Sequence, residues 1–365
     1  MKIVFVTGSI SFGGAAKMLC FVAESLAQRG HEIHIINLNT TENSTNYERQ
    51  ISDTIKLYDI KVPEKKGLQR FEQIKAIIKI AKAVKADLLV GFTLFPNFMV
   101  SIAGKILRIP SIMSERGDPN KTFIGGMVSK LFLAVINRCT GGVFQTDGAK
   151  SFYGKRLKRN GVVIANPIFI EGEIPSVKQS EREKTVVSVG RLDNYQKRYD
   201  VMLDAFEIFS KKHPEYTLKL YGKGSDEEKI AEWVKEKGLC ERVKFMGLTT
   251  KPMEDTAKDG MFLITSDYEG ISNSLLEAMA VGLPCVSTDH TPGGARLLIT
   301  DHENGLLAPV EDAKGLAAAL CEFAENPGLS EKCGNNARDV INRFAPQRII
   351  DMWENYCIKI IKSEK

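Results

Sequence analysis

Short apolar runs alternate along this chain with longer stretches in which apolar residues recur at helical spacing. In the first half the runs are Lys2–Gly8, Glu32–Leu38, Asp87–Phe92, Ser111–Ser114, Gly142–Gln145 and Val162–Ala165. They are rich in Val and Ile, and most are nearly continuous in apolar character, the pattern of strands buried in a parallel sheet. Between them Ala15–Arg29, Leu68–Lys85, Pro96–Leu107 and Met127–Arg138 predict helices. Within Leu68–Lys85, residues Ile74, Ile77, Ile78, Ala81 and Val84 share one helical face. Strand, helix and strand repeated in this way predict an α/β domain with a doubly wound, Rossmann-like parallel sheet.

The rhythm breaks from Asn166 to Lys184, which holds Pro167, Pro175 and a polar run from Lys178, and this stretch reads as a linker. The alternation then restarts. Strands are predicted at Thr185–Gly190, Thr217–Tyr221, Val243–Met246, Met261–Thr265, Pro284–Ser287 and Gly305–Ala308. Helices are predicted at Tyr199–Lys212, Asp226–Lys237, Asn273–Val281 and Ala313–Asn326. Pro346–Lys365 reads as one terminal helix. The expected organisation is a first domain over 1–168, a second over 169–345, and a last helix, 346–365, that packs back on the first. Ligands of such sheets bind outside the carboxyl ends of the strands, so a cleft between two facing domains is the expected site.

Composition narrows the function. A chain of 365 residues with 43% hydrophobic and 26% charged residues suits two globular domains. No apolar run approaches the ~20 residues of a membrane span. Met1–Val6 enters a strand and lacks the features of a signal peptide, so a cytoplasmic protein is expected. Seven scattered cysteines, odd in number and without a Cys-x-x-Cys pair, predict free thiols. There are five histidines, His31 and His34 in one strand-like run, and no cluster has metal-ligand spacing. The net charge of +5 is a cancellation: residues 1–170 hold 24 Lys+Arg against 12 Asp+Glu, and the remainder 26 against 33. A basic half joined to an acidic half suggests domains with different partners.

The candidate chemistry is densest from Ser266 to Pro284. A buried strand ends at Ser266, a polar loop with Gly270 follows, and Ser272 or Asn273 can cap the next helix. The start of that helix suits an anion such as a phosphate. Glu269 and Glu277 flank it; carboxylates repel phosphate and more naturally accept hydrogen bonds from sugar or ribose hydroxyls. Anion binding beside hydroxyl binding describes a sugar nucleotide. A second element runs from Val189-Gly190-Arg191 to Lys197, where two cations beyond a strand can clamp a diphosphate and stabilise it as it departs. Gly222-Lys223-Gly224 and Gly13-Gly14 are weaker signals of close backbone approach to a ligand. No Gly-x-Gly-x-x-Gly fingerprint, P-loop or Asp-x-Asp loop occurs, so no metal or other cofactor is expected beside the nucleotide-sugar co-substrate.

At these residues the sequence resembles the retaining glycosyltransferases of family 4, which have the GT-B fold. The carrying features are Glu269 to Glu277 with Glu-Ala-Met-Ala-x-Gly-x-Pro, Val-Gly-Arg-Leu with Gln196-Lys197, Gly222-x-Gly224, Gly13-Gly14-Ala15, Val163 to Pro167 and Asn304-Gly305-Leu306-Leu307. They span nearly the whole chain in the family's order. The resemblance implies that Arg191 and Lys197 hold the donor diphosphate, that Glu269 contacts the donor sugar and Glu277 the ribose, and that the backbone of Gly270, Ile271, Ser272, Asn273 and Ser274 meets sugar and phosphate. It favours a UDP-sugar and retention of configuration.

Ser114-Glu115-Arg116-Gly117-Asp118-Pro119 looks like a segment of members that assemble capsule, lipopolysaccharide or lipid-linked glycans, which makes Glu115 and Arg116 acceptor-side candidates. Glu115 also reads as a loop charge paired with Arg116. Many members carry a histidine in the first domain near the reacting sugar; His31 and His34 do not suit that role, which is then absent or passes to backbone groups or to the Ser114–Asp118 loop. Leu297 stands where many members have Glu. A sugar-nucleotide epimerase and a non-catalytic nucleotide-sugar-binding subunit remain alternatives. The clusters Lys150, Lys155, Arg156, Lys158, Arg159 and Lys61, Lys65, Lys66, Arg70 suggest that the basic domain rests on an anionic cytoplasmic membrane surface; no nucleic-acid partner is expected.

Overall fold

A computed structural model describes residues 1–10, 14–38, 51–60, 68–170 and 172–363. The chain divides into two compact units, one of residues 1–166 with 347–365, the other of residues 167–346. Each is built on one parallel sheet.

The first unit holds β1 (Lys2–Thr7), β2 (Glu32–Asn37), β3 (Lys56–Asp59), β4 (Leu88–Phe92), β5 (Ser111–Ser114), β6 (Gly141–Phe144) and β7 (Val162–Val163), in the spatial order β3-β2-β1-β4-β5-β6-β7. All pairings are parallel. The order reverses direction between β1 and β4, the doubly wound switch that the sequence rhythm predicts. β1, β4, β5 and β6 are almost wholly buried, as continuous Val/Ile/Leu runs demand when helices cover both faces. β3 is the strand of this sheet that the pattern missed. It is a four-residue edge strand, mostly exposed, whose Lys-Leu-Tyr-Asp sequence has no apolar run to signal it.

The terminal helix Pro346–Ser363 belongs mostly to this unit. Trp353 is fully buried and stacks on Phe92 with centroids 5.8 Å apart. Arg29 bonds Asp351 at 2.6 Å and Glu354 at 2.5 Å, and the Tyr356 hydroxyl donates to the Asn160 carbonyl at 2.6 Å. His31 falls just before β2, outside the strand, and pairs with Glu354 at 2.7 Å, while His34 is buried in β2 against Glu32 and Tyr58. Both histidines have structural partners.

The second unit holds β8 (Thr185–Val189), β9 (Thr217–Tyr221), β10 (Val243–Gly247), β11 (Met261–Ile264), β12 (Cys285–Thr288) and β13 (Leu306–Ala308), in the order β10-β9-β8-β11-β12-β13. Its core is made by β8, β9, β11 and β12 with the helices Tyr199–Lys212 and Ala313–Glu325, around Phe206, Phe209, Leu316 and Leu320. The stretch read as a linker is packed into this unit. Ile168 is buried and its N–H donates to the Phe344 carbonyl at 2.9 Å, while Glu183 N–H donates to Lys258 O at 2.8 Å. Its prolines remove donors without preventing burial of Ile168. All seven cysteines are free, six of them buried. Among the described residues no helix is long and apolar enough to cross a membrane.

Candidate functional site

In the second unit β8 and β11 pair directly, so the loops that leave their carboxyl ends adjoin. The β8 loop passes Gly190 and Arg191 to the one-turn helix Asn194–Lys197, capped by Asp193, whose carboxylate accepts from Tyr195 N–H at 3.1 Å. Arg198 then takes a left-handed conformation, φ 52°, before the next helix. Gln196 O accepts from Asp267 N–H at 3.0 Å, and the Gln196 amide donates to Tyr268 O at 3.1 Å. The Thr265 hydroxyl donates to Lys197 O at 2.8 Å. Lys197 Nζ forms an ion pair with Glu269 Oε1. Two residues 72 positions apart are thus brought into contact at the end of the sheet.

Glu269 is fixed from three sides. Its carboxylate takes Lys197 and the Ser266 hydroxyl, the latter at 3.1 Å, and its N–H donates to Thr291 O at 2.9 Å. The chain then crosses the buried residues Gly270 and Ile271 to Ser272, which caps the helix Asn273–Ala280 by accepting from Leu275 N–H at 3.4 Å. Asn273 and Ser274 occupy its first turn, half-buried, and Glu277 lies one turn further on, also half-buried. The helix start and the Lys197–Glu269 pair share one loop, so cation, carboxylate and helix N-terminus are held at one edge.

Two close approaches explain glycines in this region. A Cβ on Gly222 would collide with the Gly190 carbonyl, and Gly222 has φ 145°. A Cβ on Gly294 would collide with the Gly270 carbonyl and press on His290. These glycines let site loops pack on each other, a different cause from ligand approach. Arg191 differs from Lys197, although sequence spacing made them a pair: it is exposed, and among the described residues its bonds stay in its own loop, to Asp193 at 3.1 Å and Gln196 at 3.3 Å.

Two residues escaped the sequence reading. Arg198 bridges Asp200, Asp267 and Glu311 at 3.0, 3.0 and 2.7 Å, and these acids raise its pKa further. It looked like one more loop cation beside Lys197. His290 is buried beyond β12, and its Nε2 has no partner among the described residues. Burial lowers its pKa, against the opposing pull of Glu269, so the ring is neutral at neutral pH. A depressed histidine binds its proton less well folded than unfolded. Stability is therefore whole above the unfolded value of about 6.5 and falls as pH drops from there toward the folded pKa. Urea midpoints between pH 8 and 5 are expected to show a steeper acid loss for the wild type than for His290→Gln; parallel curves would contradict this.

In the first unit Glu115 and Arg116 follow β5. Glu115 and the Arg116 side chain attract through their charges, but the Glu115 hydrogen bonds go elsewhere. Its Oε1 accepts from the N–H groups of Arg116 and Gly117 at 2.9 and 3.1 Å, and its Oε2 from the Tyr153 hydroxyl at 2.6 Å. Burial raises its pKa, and those three hydrogen bonds oppose the rise. The carboxylate brackets its own loop. The Arg116 guanidinium bonds Ser114 Oγ at 2.9 Å and Asn166 Oδ1 at 3.4 Å and lies beside the stacked rings of Phe92 and Trp353, 5.3 and 5.4 Å from their centroids. Burial brings its pKa down to about 9, and its Nη2 has no partner among the described residues. Of the two candidates, Arg116 keeps hydrogen-bonding capacity to spare. Gly14 begins the helix Gly14–Gln28 and is exposed; Gly13, Lys61, Lys65 and Lys66 lie outside the described residues.

Residues 170–340 match the family described as glycosyl transferases group 1, and residues 13–120 the family described as glycosyl transferase 4-like. Over its whole length the chain is similar to an uncharacterized glycosyltransferase of Haemophilus influenzae, 26% identical across 96% of this chain and 98% of that one. It is also similar to a Campylobacter jejuni enzyme named GalNAc-alpha-(1->4)-GalNAc-alpha-(1->3)-diNAcBac-PP-undecaprenol alpha-1,4-N-acetyl-D-galactosaminyltransferase, 25% identical across 97% of each. Among solved structures, the lipopolysaccharide outer core galactosyltransferase WaaB superposes with TM-score 0.81 at 20% identity, covering 98% of this chain and 99% of that one. Anabaena HepE in complex with UDP superposes with TM-score 0.78 at 18% identity, covering 97% and 99%. The paired parallel-sheet units are those of the GT-B fold.

Proposed function

The chain is a group 1 glycosyltransferase, and from that premise we propose that it moves a sugar from UDP to a hydroxyl of a lipid-linked glycan, with retention of anomeric configuration. The observation that carries the donor half of this reading is the Lys197–Glu269 pair, fastened by five backbone and side-chain bonds to neighbouring loops beside the start of helix Asn273–Ala280. Lys197 supplies a fixed cation for the departing diphosphate, and the exposed Arg191 of the same loop adds a second. Preorganised cations and helix N–H groups stabilise charge where it develops, and no reorganisation is needed at the moment of reaction. Glu269 accepts from hydroxyls of the donor sugar, and Glu277 from the ribose. The backbone from Gly270 to Ser274 lines the sugar and phosphates. Support for uridine comes from the HepE complexes, and support for a lipid-linked acceptor from the Campylobacter relative's name.

On the acceptor side the buried Arg116 guanidinium supplies positive charge toward an anionic group, with Glu115 holding the loop that carries it. The protein meets this acceptor at the inner face of the cytoplasmic membrane. The test is a panel of UDP-, ADP-, GDP- and dTDP-sugars scored by nucleotide release, with the product anomer read by proton NMR. Turnover of a UDP-α-sugar to an α-linked product is expected. Turnover confined to a purine donor, or a β-linked product, would overturn the assignment.

A further inference from the structure

The helix Gly126–Ile136 is apolar on two sides. Its inner side packs normally: Phe132 and Ile136 are buried, Phe132 stacks on Phe98 at 4.3 Å, and Val135 O accepts from the Ser101 hydroxyl at 2.6 Å. Its outer side is equally apolar. Met127, Val128 and Leu131, spaced to fall on one helical face, are 87%, 68% and 59% exposed, and Ile124, just before the helix, is 70% exposed. A helix apolar all round is normally enclosed by protein, and contiguous exposed apolar side chains mark an interaction surface.

The segment of chain that carries this face holds charges of one sign. From Pro119 to Thr146 there is no Asp or Glu, while Lys121, Lys130 and Arg138 are all exposed. Arg70 joins from the helix Leu68–Val84: its guanidinium lies 4.4 Å from the Phe95 ring and 5.4 Å from that of Phe132, against the same helix. Phe71 and Phe95 are themselves exposed, at 56% and 43%. Apolar side chains set among these cations complement a surface that is oily within and anionic at its edge.

We propose that the face formed by Ile124, Met127, Val128 and Leu131 is a membrane-docking surface that inserts into an anionic lipid leaflet, with Arg70, Lys121 and Lys130 at the headgroups. The surface stands on exposure and charge; its purpose rests on the lipid-linked acceptor reading. The chain joins the two directly, since the Ser114–Asp118 loop runs through the short helix Pro119–Thr122 straight into Ile124. A lipid-linked acceptor held in the same leaflet then presents its head close to Arg116. The contact centres on an apolar face and not on charge alone, though Phe123 stacks on Phe152 of the Lys150–Arg159 segment at 5.7 Å and Arg70 belongs to the other basic cluster.

The test is co-sedimentation of the full chain with vesicles of phosphatidylcholine alone or mixed equally with phosphatidylglycerol, at low and high salt. Wild type is expected to bind the mixed vesicles. Met127→Glu with Leu131→Glu is expected to lower the partition coefficient about tenfold or more, from lost apolar insertion and repulsion. Leu248→Glu, an equally exposed site on the second unit, is expected to leave it unchanged. Nucleotide release from the donor without acceptor, measured on the same preparations, keeps this test separate from that of the proposed activity. Absence of binding to anionic vesicles, or equal binding by the double variant, would overturn the proposal. So would a concentration-dependent dimer in light scattering that the double variant abolishes, which would assign the face to a second copy.

Discussion

Lys197→Ala is expected to lower donor turnover by a factor on the order of 10² or more while the protein stays folded. Folding should survive because the loop is held independently of the Lys197 side chain. Gln196 keeps its bonds to Asp267 and Tyr268, Thr265 still reaches the backbone at Lys197, and Arg198 still bridges three acids. What the substitution removes is the cation facing Glu269, leaving that half-buried carboxylate with Ser266 as its remaining side-chain partner. Glu269→Ala is expected to lose activity to a similar extent from the other side of the pair. Rates of nucleotide release at saturating donor, beside a thermal melt, check both. Near-normal turnover in either variant would remove the pair from the reaction.

Gly294→Ala is expected to act without touching any charged group. The new methyl cannot coexist with the Gly270 carbonyl, and that backbone carries Glu269 on one side and the cap of Asn273–Ala280 on the other. The loop must shift, and a displacement near 1 Å of positioned groups costs about 10²-fold in rate. Stability should fall as well, by about 1–3 kcal/mol if the cost resembles core overpacking. A variant with wild-type melting temperature and rate would show that the loop has slack that its packing does not suggest.

The sheets were legible because parallel strands buried on both faces must be almost continuously apolar, and these are. β3 was not, since an exposed edge strand with the sequence Lys-Leu-Tyr-Asp needs only backbone pairing to His34–Asn37. The short helices Asn194–Lys197 and Gly294–Leu298 were missed for a related reason: one turn carries no periodicity. In the site, residues inside one run could be placed by spacing. The contact between Lys197 and Glu269 could not, because it depends on β8 and β11 being neighbours. Arg198 and His290 have no local signature: one is a cation among cations, the other a histidine whose burial follows only from tertiary packing. Glu115 shows the opposite failure. A charged motif drew the eye to its carboxylate, yet the structure turns that group onto its own loop and leaves Arg116 with the spare donor.

The central claim is that the loops after β8 and β11 form a site for a nucleoside diphosphate sugar. Calorimetric titration of UDP into the wild type, Lys197→Ala and Glu277→Ala tests it most directly. The account predicts one-to-one binding by the wild type, and affinity reduced about tenfold or more in both variants, as loss of a charge-assisted contact implies. Wild-type affinity for UDP in both variants, or no UDP binding by the wild type, would contradict it.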